Sequence, residues 1–153
     1  MNMMKLLILD LDETLIHTTY SPIPDLEYVS QKGYYYLYER PFLKDFLVQS
    51  SETHALAIWS ASKADYVRWI LNYTVLKDFE FEFVHTRRHC RYRIGKFGTP
   101  EYLKDLNILG GAYEKVCMLD DTPKMVTPID CCIKVPEFKG SANDAFLKTV
   151  TLL

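Results

Sequence analysis

The sequence predicts an α/β protein, a three-layer sandwich built around a central parallel sheet. Short apolar runs alternate with segments of helical hydrophobic spacing, as expected for β-strands linked by helices. The main apolar runs end abruptly in polar residues, as buried strands do where they reach the edge of a sheet. The 153 residues are enough for one domain with its own core, predicted to span 1–153.

The first third of the chain predicts a strand, a hairpin and a helix. Lys5–Leu9 is apolar, too short to cross a membrane, and is predicted to be a buried strand. Glu27–Gln31 and Tyr34–Tyr38 alternate on either side of Lys32-Gly33, which indicates a hairpin. Proline is favoured at the first position of a helix, so Arg40-Pro41 predicts a helix start. Three apolar side chains are predicted to share one face of that helix: Phe42, Phe46 and Leu47.

The middle of the chain predicts a second buried strand, a helix and two further strands. His54–Trp59 is apolar and, after a short turn, Asp65–Asn72 has helical spacing. Phe79–Val84 alternates Phe with Glu and predicts an amphipathic strand, and Tyr92–Phe97 is predicted to return as another. The inward positions of the helix are predicted to be Val67, Ile70 and Leu71.

The last third predicts two buried strands and a final helix. Val116–Leu119 and Cys131–Val135 are the apolar runs, and Thr122-Pro123 breaks the chain between them. Ser141 or Asn143 is expected to cap the helix, because both residue types accept a hydrogen bond from a free backbone N–H there. The apolar positions of this helix are Phe146, Leu147 and Val150.

Charge and composition exclude several classes of protein. The net charge of −2 argues against a chain that binds polyanions over its whole surface. No apolar run reaches the length of a signal peptide or a membrane span, so we expect no membrane association. The four cysteines show neither CxxC pairs nor zinc-finger spacing. They are expected to be free thiols in a reducing compartment, the cytoplasm, or the nucleus in a eukaryote.

Acidic and hydroxyl side chains follow three of the predicted strands. Asp10 and Asp12 follow the first strand, Ser60 follows the second, and Asp120 and Asp121 follow the third. The ends of parallel strands meet at one edge of a sheet, so these side chains are expected to lie together. Four carboxylates repel one another unless a cation lies between them, and oxygen ligands favour Mg²⁺. Such a site suits a phosphate substrate, with one carboxylate available as the nucleophile.

Four segments, in order, resemble the motifs of the haloacid dehalogenase-like phosphatases. Asp10–His17, DLDETLIH, matches the first motif, DxDxT, and Ile58–Ala61 is similar to the second. Tyr102–Leu106 is similar to the third motif and Leu119–Pro123 to the fourth. The chain looks like the branch of small C-terminal-domain phosphatases and NLI-interacting-factor domains. The resemblance implies a Rossmann-like sandwich without a cap domain, with a small β insertion between motifs two and three.

The resemblance also implies a division of catalytic roles. Asp10 would attack phosphorus and become an aspartyl phosphate. Asp12 would protonate the leaving oxygen and then activate the hydrolytic water. Ser60 would donate a hydrogen bond to a phosphoryl oxygen, and Lys104 would neutralise the phosphate and the nucleophile. Thr14 would fix the turn and lie beside the bound phosphoryl group.

The metal site implied by the resemblance is a Mg²⁺ site formed by four acidic residues. Asp10 would contribute its carboxylate, Asp12 its backbone carbonyl, and Asp120 and Asp121 would hold the ion. The branch often has Asn where this chain has Asp121, and the sequence leaves open which of the last two acids contacts the ion directly.

Two positions keep alternative interpretations at this stage. Ser60 is also a candidate N-cap of the following helix, a role for which Ser62 competes. Lys96 competes with Lys104 as the lysine of the site, and the KDL context sixteen residues before Asp120 favours Lys104.

The basic segment His85–Arg93 predicts either a solvated hairpin or an arginine clamp for phosphate. It lies where the branch has the insertion that helps to form the substrate-binding face, which makes Arg87 a candidate substrate-binding residue. Without a cap the site would be open, which suits a macromolecular substrate. We therefore expect a phosphatase for phosphoserine or phosphothreonine in protein. The alternatives are a phosphatase for nucleic-acid ends or nucleotides, and an inactive phosphatase-like binding module.

Overall fold

The computed structural model describes residues 3–152. Within this range the strands, in chain order, are β1 (Lys5–Leu9), β2 (Ile16–Thr19), β3 (Ser30–Lys32), β4 (Tyr35–Glu39), β5 (Ala55–Trp59), β6 (Val84–His85), β7 (Arg91–Ile94), β8 (Pro100–Asp105), β9 (Lys115–Asp120), β10 (Val126–Thr127) and β11 (Cys132–Lys134). The α-helices are α1 (Leu43–Ser51), α2 (Ala64–Tyr73) and α3 (Phe146–Thr149). Among these described helices, none has the length and apolar character needed to span a membrane.

The central sheet is parallel and has the strand order β11-β9-β1-β5-β6. β1 lies in the middle, where Leu6 pairs with Ala55 on one side and with Val116 on the other. All four strands predicted to be buried belong to this sheet, which confirms the predicted α/β class with a central parallel sheet. Because the strands run in one direction, the residues that follow β1, β5 and β9 emerge at the same edge.

One face of the central sheet is covered by the three α-helices. Side chains alternate along β1, so Leu7 and Leu9 point to the helical face while Leu6 and Ile8 point to the opposite face. The helices contribute these buried apolar side chains to the first cluster: Leu43, Phe46, Leu47, Val67, Trp69, Ile70 and Leu147. This face therefore contains the larger part of the core.

The opposite face is covered by a small sheet and 3₁₀ turns rather than by α-helices. The small sheet has the order β10-β8-β7 and carries the predicted insertion between motifs two and three. Leu106, from a 3₁₀ turn at Leu106–Leu109, and Val126 of β10 pack against Ile8 and Met118. The third layer is thus formed largely by short elements, whose few residues give no clear periodicity in the sequence.

A second small sheet, with the order β2-β4-β3, contains the predicted hairpin. β3 and β4 pair on either side of the turn at Gly33, which has a φ of 59°. β2 pairs with β4 but was not predicted. Its sequence IHTT has one buried apolar side chain, Ile16, followed by partly buried polar residues, so it lacks the usual signal of a strand.

Several predicted element boundaries were wrong. The first helix begins at Leu43, because Phe42 adopts a left-handed conformation with a φ of 68° and lies 41% exposed rather than on the buried face. In α2, Trp69 is buried together with the expected Val67 and Ile70, and Leu71 is partly buried against the core. The final helix is the single turn of α3, preceded by Ala145 without a side-chain cap.

The predicted strand Phe79–Val84 is reduced to the two residues of β6. A 3₁₀ turn at Val75–Asp78 precedes the segment. The segment runs beside β5, with hydrogen bonds from Glu82 N to Leu56 O and from Ile58 N to Phe83 O, but it forms a ladder only at its end. The Phe/Glu alternation therefore reflects an edge segment with one apolar side.

Candidate active site

The predicted site residues converge at the carboxyl edge of the central sheet. Asp10 follows β1 directly, and its N–H donates to Leu119 O at 3.0 Å. Ser60 follows β5, and its N–H donates to His85 O at 2.9 Å. Asp120 is the last residue of β9. These backbone bonds continue the parallel ladders, so the strand ends hold their polar side chains in fixed relative positions.

Lys104 enters the site from the small sheet and connects two carboxylates. Its Nζ lies 2.9 Å from Asp10 Oδ1 and 2.7 Å from Asp120 Oδ2, and all three residues are buried. Burial alone would lower the pKa of Lys104, but the two carboxylates outweigh this effect and hold it above its usual value. Burial raises the pKa of the Asp10 carboxyl well above its ordinary value, although Lys104 acts in the opposite direction.

Two threonine hydroxyls orient the buried carboxylates. Thr14 Oγ1 lies 2.8 Å from Asp10 Oδ2 and 3.4 Å from Asp121 Oδ1, at the end of a tight loop in which Glu13 has a φ of 60°. Both the N–H and the hydroxyl of Thr122 contact Asp120 Oδ1, at 2.9 and 3.0 Å. Thr14 is fully buried, so its hydroxyl faces the carboxylates rather than the open surface.

Asp12 has surroundings very different from those of Asp10. Its Oδ1 accepts a hydrogen bond from Tyr66 Oη at 2.5 Å, and its Oδ2 accepts one from Ser62 Oγ at 3.0 Å. Burial raises the pKa of Asp12, and the Tyr66 hydrogen bond opposes the shift. The side chain is therefore held by hydroxyl groups at the start of α2 and is separate from the lysine-bridged pair.

Ser60 lies on the loop that follows β5, and Arg87, which follows β6, is hydrogen-bonded to that loop. Ser60 Oγ accepts the Ser62 N–H at 3.0 Å, which leaves its own hydroxyl proton to donate to a ligand. Arg87 Nε donates to Ala61 O at 2.9 Å, and its guanidinium lies 4.5 Å from the centroid of the Tyr102 ring. α2 begins after Lys63 without a side-chain cap, so the capping alternative for Ser60 and Ser62 was wrong.

Two further arginines of the basic segment, Arg91 and Arg93, form ion pairs within the β7–β8 hairpin. Arg93 Nε lies 2.7 Å from Glu101, and Arg91 lies 3.7 Å from Asp105, across the β7–β8 hairpin. Both arginines are more than half exposed, so these pairs each contribute little to stability. The solvated-hairpin interpretation holds for these two arginines, whereas Arg87 is hydrogen-bonded to the loop that carries Ser60.

The chemistry of the acidic cluster fits a divalent cation. Carboxylate oxygens of Asp10, Asp120 and Asp121 all lie within 4.8 Å of one another. Three carboxylates face the single ammonium group of Lys104, so the cluster keeps a surplus of negative charge that a hard, doubly charged ion balances. The two oxygens of Asp120 are already engaged by Lys104 and Thr122, whereas Oδ1 of Asp121 makes a long contact of 3.4 Å with Thr14 Oγ1. The carboxylate of Asp12 is outside the cluster.

An aromatic groove lies beside Asp12, with a volume of about 490 Å³. It is bordered by the β3–β4 hairpin and the start of α2. Its walls include Tyr34, Tyr35, Tyr66 and Trp69, with Lys32 and Lys63 at the rim. Tyr66 belongs both to this groove and to the hydrogen bonds of Asp12.

Sequence reasoning missed several residues of the site. Tyr66, Ser62 and Thr122 were not recognised as partners of carboxylates, and buried Arg40, which donates to Thr14 O at 3.0 Å, was seen only as the residue before a proline. The available signal for Ser62 and Tyr66 was that both carry hydroxyl groups near the start of the helix that follows the strand ending at Ser60. Thr122 had the signal of a hydroxyl residue two positions after an acid in a turn.

The fold and the site together define a haloacid dehalogenase-like α/β protein. Fcp1, described as an essential RNA polymerase II CTD phosphatase, has a similar structure, with a TM-score of 0.65 and 23% identity, over 94% of this chain and 44% of that one. A sequence model of the NLI interacting factor-like phosphatases matches residues 5–153. The chain belongs to the NLI interacting factor-like phosphatase family.

Curated relatives extend well beyond the matched region. CTD small phosphatase-like protein 3 of Caenorhabditis elegans is 33% identical over 148 residues, covering 92% of this chain and 50% of that protein. Phosphatase Herzog of Drosophila melanogaster is 30% identical over 125 residues, covering 78% of this chain and 34% of that protein. This chain thus spans half or less of the length of these two relatives.

Proposed function

We propose that the protein is a Mg²⁺-dependent phosphomonoester hydrolase that acts on phosphoserine or phosphothreonine in proteins through an aspartyl-phosphate intermediate. The observation that carries the proposal is the buried Lys104, whose Nζ joins Asp10 and Asp120 at 2.9 and 2.7 Å beside a third carboxylate. Burying this many charges is costly, so a constellation of this kind is typical of a functional site. Membership in a family of phosphatases supports the same reaction.

In the proposed reaction the two aspartates of the first motif have separate tasks. A carboxylate oxygen of Asp10 bonds to phosphorus as the bond from phosphorus to the substrate oxygen breaks, and Asp12 gives its proton to that departing oxygen. Water then attacks the phosphorus of the aspartyl phosphate. Asp12 takes a proton from this water, the Asp10 carboxylate is released, and inorganic phosphate leaves.

Three further side chains are proposed to bind the phosphoryl group. Ser60 has a hydroxyl proton available to donate to a phosphoryl oxygen. Lys104 keeps the Asp10 carboxylate oriented and offsets the charge that the phosphate brings. Arg87, held by Ala61 O and by the Tyr102 ring, is proposed to contact the phosphate or an acidic flanking group. Thr14 serves this site mainly by orienting Asp10.

Asp10 and Asp121 would hold the proposed Mg²⁺ through their carboxylates, and Asp12 would hold it through its backbone carbonyl. Asp120, whose oxygens are engaged by Lys104 and Thr122, is proposed not to contact the ion directly. When bound, Mg²⁺ supplies positive charge and a fixed template for phosphoryl transfer.

The open form of the site favours a macromolecular substrate. Among residues 3–152 no cap domain covers the carboxyl edge, and the aromatic groove opens beside Asp12. The relatives whose names refer to the CTD or to the RNA polymerase II CTD support a phosphoprotein as the substrate. We propose a reducing compartment, cytoplasmic or nuclear, in which the four free cysteines persist.

A phosphatase assay with a panel of substrates tests the proposal. A phosphoserine peptide, a phosphorylated oligonucleotide and a sugar phosphate are compared with and without Mg²⁺. We expect hydrolysis of the peptide to be fastest, to require Mg²⁺, and to be inhibited by beryllofluoride, which mimics a phosphoryl group on Asp10. Faster hydrolysis of the oligonucleotide, with steep salt dependence, would support the nucleic-acid alternative instead.

Two matched variants complete this test. Asp10→Asn removes the nucleophile and should abolish activity. Asp130→Asn makes the same chemical change at an exposed position just before β11, at the opposite edge of the sheet, and should leave activity unchanged. Full activity in Asp10→Asn would contradict the aspartyl-phosphate mechanism. Absence of any Mg²⁺-dependent hydrolysis in the wild type would favour the inactive binding module.

A further inference from the structure

We propose that Tyr66 is a positioning residue that holds the Asp12 carboxyl group in place for proton transfer to the leaving oxygen. The inference rests on the proposed function, since it concerns the group that acts there as the acid. It is carried by the hydrogen bonds of Asp12, which involve two residues outside the four motif segments, Tyr66 and Ser62.

The two oxygens of Asp12 are each held by one hydroxyl group. Tyr66 Oη donates to Oδ1 at 2.5 Å, and Ser62 Oγ donates to Oδ2 at 3.0 Å. Two donors on two oxygens fix both the direction and the plane of a carboxyl group. The tyrosine bond is the shorter, which is consistent with a phenol being a more acidic hydroxyl than that of serine. The side chain is thereby kept apart from the cluster of Asp10, Asp120 and Asp121.

Tyr66 is itself fixed by the surrounding structure. It lies in the first turn of α2, its hydroxyl lies 3.1 Å from Thr18 Oγ1 on β2, and its ring packs against Trp69 with centroids 6.0 Å apart. With Thr18 as donor to Tyr66 and Tyr66 as donor to Asp12, the hydroxyl groups form a chain that ends on the carboxylate. Asp12 is thus anchored through Tyr66 to a helix and to a strand of the second small sheet.

This arrangement predicts a defect that depends on the leaving group. Proton donation matters most when the departing oxygen is strongly basic, and little when the leaving group is already a weak base. Tyr66→Phe keeps the ring in the groove and removes only the hydroxyl. A misplaced Asp12 should therefore slow the hydrolysis of phenyl phosphate more than that of p-nitrophenyl phosphate, although the two substrates are similar in size.

The test compares kcat/KM for the two aryl phosphates, because this constant reports the steps up to departure of the leaving group. We expect Tyr66→Phe to lower kcat/KM for phenyl phosphate about tenfold more than for p-nitrophenyl phosphate. Tyr73→Phe is the matched control, because Tyr73 lies two turns further along α2 and is 56% exposed. In an Asp12→Asn background, Tyr66→Phe should have no further leaving-group effect, since the two residues would act as one unit.

Equal losses for both substrates, or an undiminished selective loss in the Asp12→Asn background, would overturn the proposal. A crystal structure of Tyr66→Phe gives a readout independent of turnover. The Asp12 carboxyl group should leave its wild-type orientation in the variant, and an unmoved Asp12 would refute the positioning role. If the wild type hydrolyses neither the aryl phosphates nor the phosphoserine peptide, the proposed function fails, while the structure still decides whether Tyr66 holds Asp12.

Discussion

At the residue scale, Asp10 and Asp12 are separated by one position and have contrasting surroundings. Asp10 is buried against the ammonium group of Lys104 and the hydroxyl of Thr14. Asp12 is held by hydroxyl groups and has no cation within hydrogen-bond distance among its described contacts. A carboxylate oriented by a fixed cation suits the attacking role proposed for Asp10, and one held by neutral donors suits the proton exchange proposed for Asp12. Two carboxylates one residue apart thus lie in different surroundings at the end of the same strand.

Lys104→Met tests the charge balance of the cluster. Removing the ammonium group leaves the buried carboxylates unpaired, so the free energy of unfolding in EDTA should fall by about 3–5 kcal/mol. Three carboxylates without a lysine should also respond more strongly to a divalent cation. We expect Mg²⁺ to raise the melting temperature of Lys104→Met more than that of the wild type, as measured by calorimetry. Lys44→Met, an exposed lysine on α1, is the control. An equal Mg²⁺ response in all three proteins would contradict this account.

His85 should make stability depend on pH. Its ring stacks between Phe83 and His89, at centroid distances of 4.1 and 4.3 Å, and its Nδ1 is buried without a hydrogen-bond partner among the described residues. Burial, with a contribution from His89, lowers the pKa of His85 to about 4, whereas an unfolded histidine has a pKa of about 6.5. Between these values the unfolded state binds more protons, so stability is lost as the pH falls through this window.

The variant His85→Phe checks this prediction. Phenylalanine keeps the aromatic stack and cannot take up a proton. The decrease in melting temperature between pH 7 and pH 4.5 should therefore be smaller in His85→Phe than in the wild type, as followed by circular dichroism. An equal decrease in melting temperature for the two proteins over this pH range would show that His85 does not cause the pH dependence.

At the element scale, the segment after β11 is tied back to the loop that carries the first motif. Arg40, fully buried, makes two hydrogen bonds of 2.8 and 2.9 Å to Asp144 and donates to Thr14 O at 3.0 Å. Its guanidinium also lies over the rings of Phe138 and Phe146. The Arg40 side chain thus holds the segment around Asp144 against the loop that carries Thr14, so substitutions in that segment should alter the geometry of the candidate site.

Asp144→Asn tests this connection. The change leaves Arg40 buried with a neutral partner and should lower the free energy of unfolding by about 2–3 kcal/mol, less than complete loss of a buried pair because one acceptor remains. Glu137→Gln alters the exposed Lys139–Glu137 pair in the same segment and should change it by less than about 0.5 kcal/mol. Urea denaturation measures the free energy of unfolding of both variants. Equal effects of the two variants would argue against the buried connection.

The predictability of each element followed its length and periodicity. The buried strands of the central sheet were recognised because a short, continuous apolar run bounded by polar residues is typical of a buried strand. β2 and the short pieces of the third layer were missed, since their side chains are mixed and their pairing depends on distant residues. The same holds for the site. Asp10, Asp12 and Lys104 were identified in motif segments, whereas Tyr66 and Arg40 act through contacts that only the folded chain brings together.

At the scale of the whole molecule, the site lies at an open edge between two small sheets. The β2-β4-β3 sheet borders the aromatic groove, and the β10-β8-β7 sheet supplies Lys104. An open site gains little binding energy from a phosphate group alone, because water remains in contact with it. Binding energy from more remote parts of a substrate should therefore contribute much of the rate.

Substrate length tests this view. A phosphoserine peptide of about eight residues should have a kcat/KM at least tenfold higher than phosphoserine itself, because flanking residues reach the groove. The rate of phosphate release gives kcat/KM for both substrates. A peptide with the same composition in scrambled order controls for nonspecific attraction. Equal kcat/KM values for phosphoserine and the peptide would mean that the protein recognises the phosphate group alone.

The hairpin that carries Lys104 also divides the molecule into two complementary halves. Its turn at 95–99 is mostly exposed, which makes it suitable for a break in the chain. A cut there leaves Asp10, Asp12 and Ser60 in one fragment, and Lys104, Asp120 and Asp121 in the other. Neither fragment alone contains both Asp10 and Lys104, so the proposed hydrolysis would require the two fragments to reassociate. With that activity, a pair of such fragments could serve as a split reporter in which phosphate release signals that two fused partners have met.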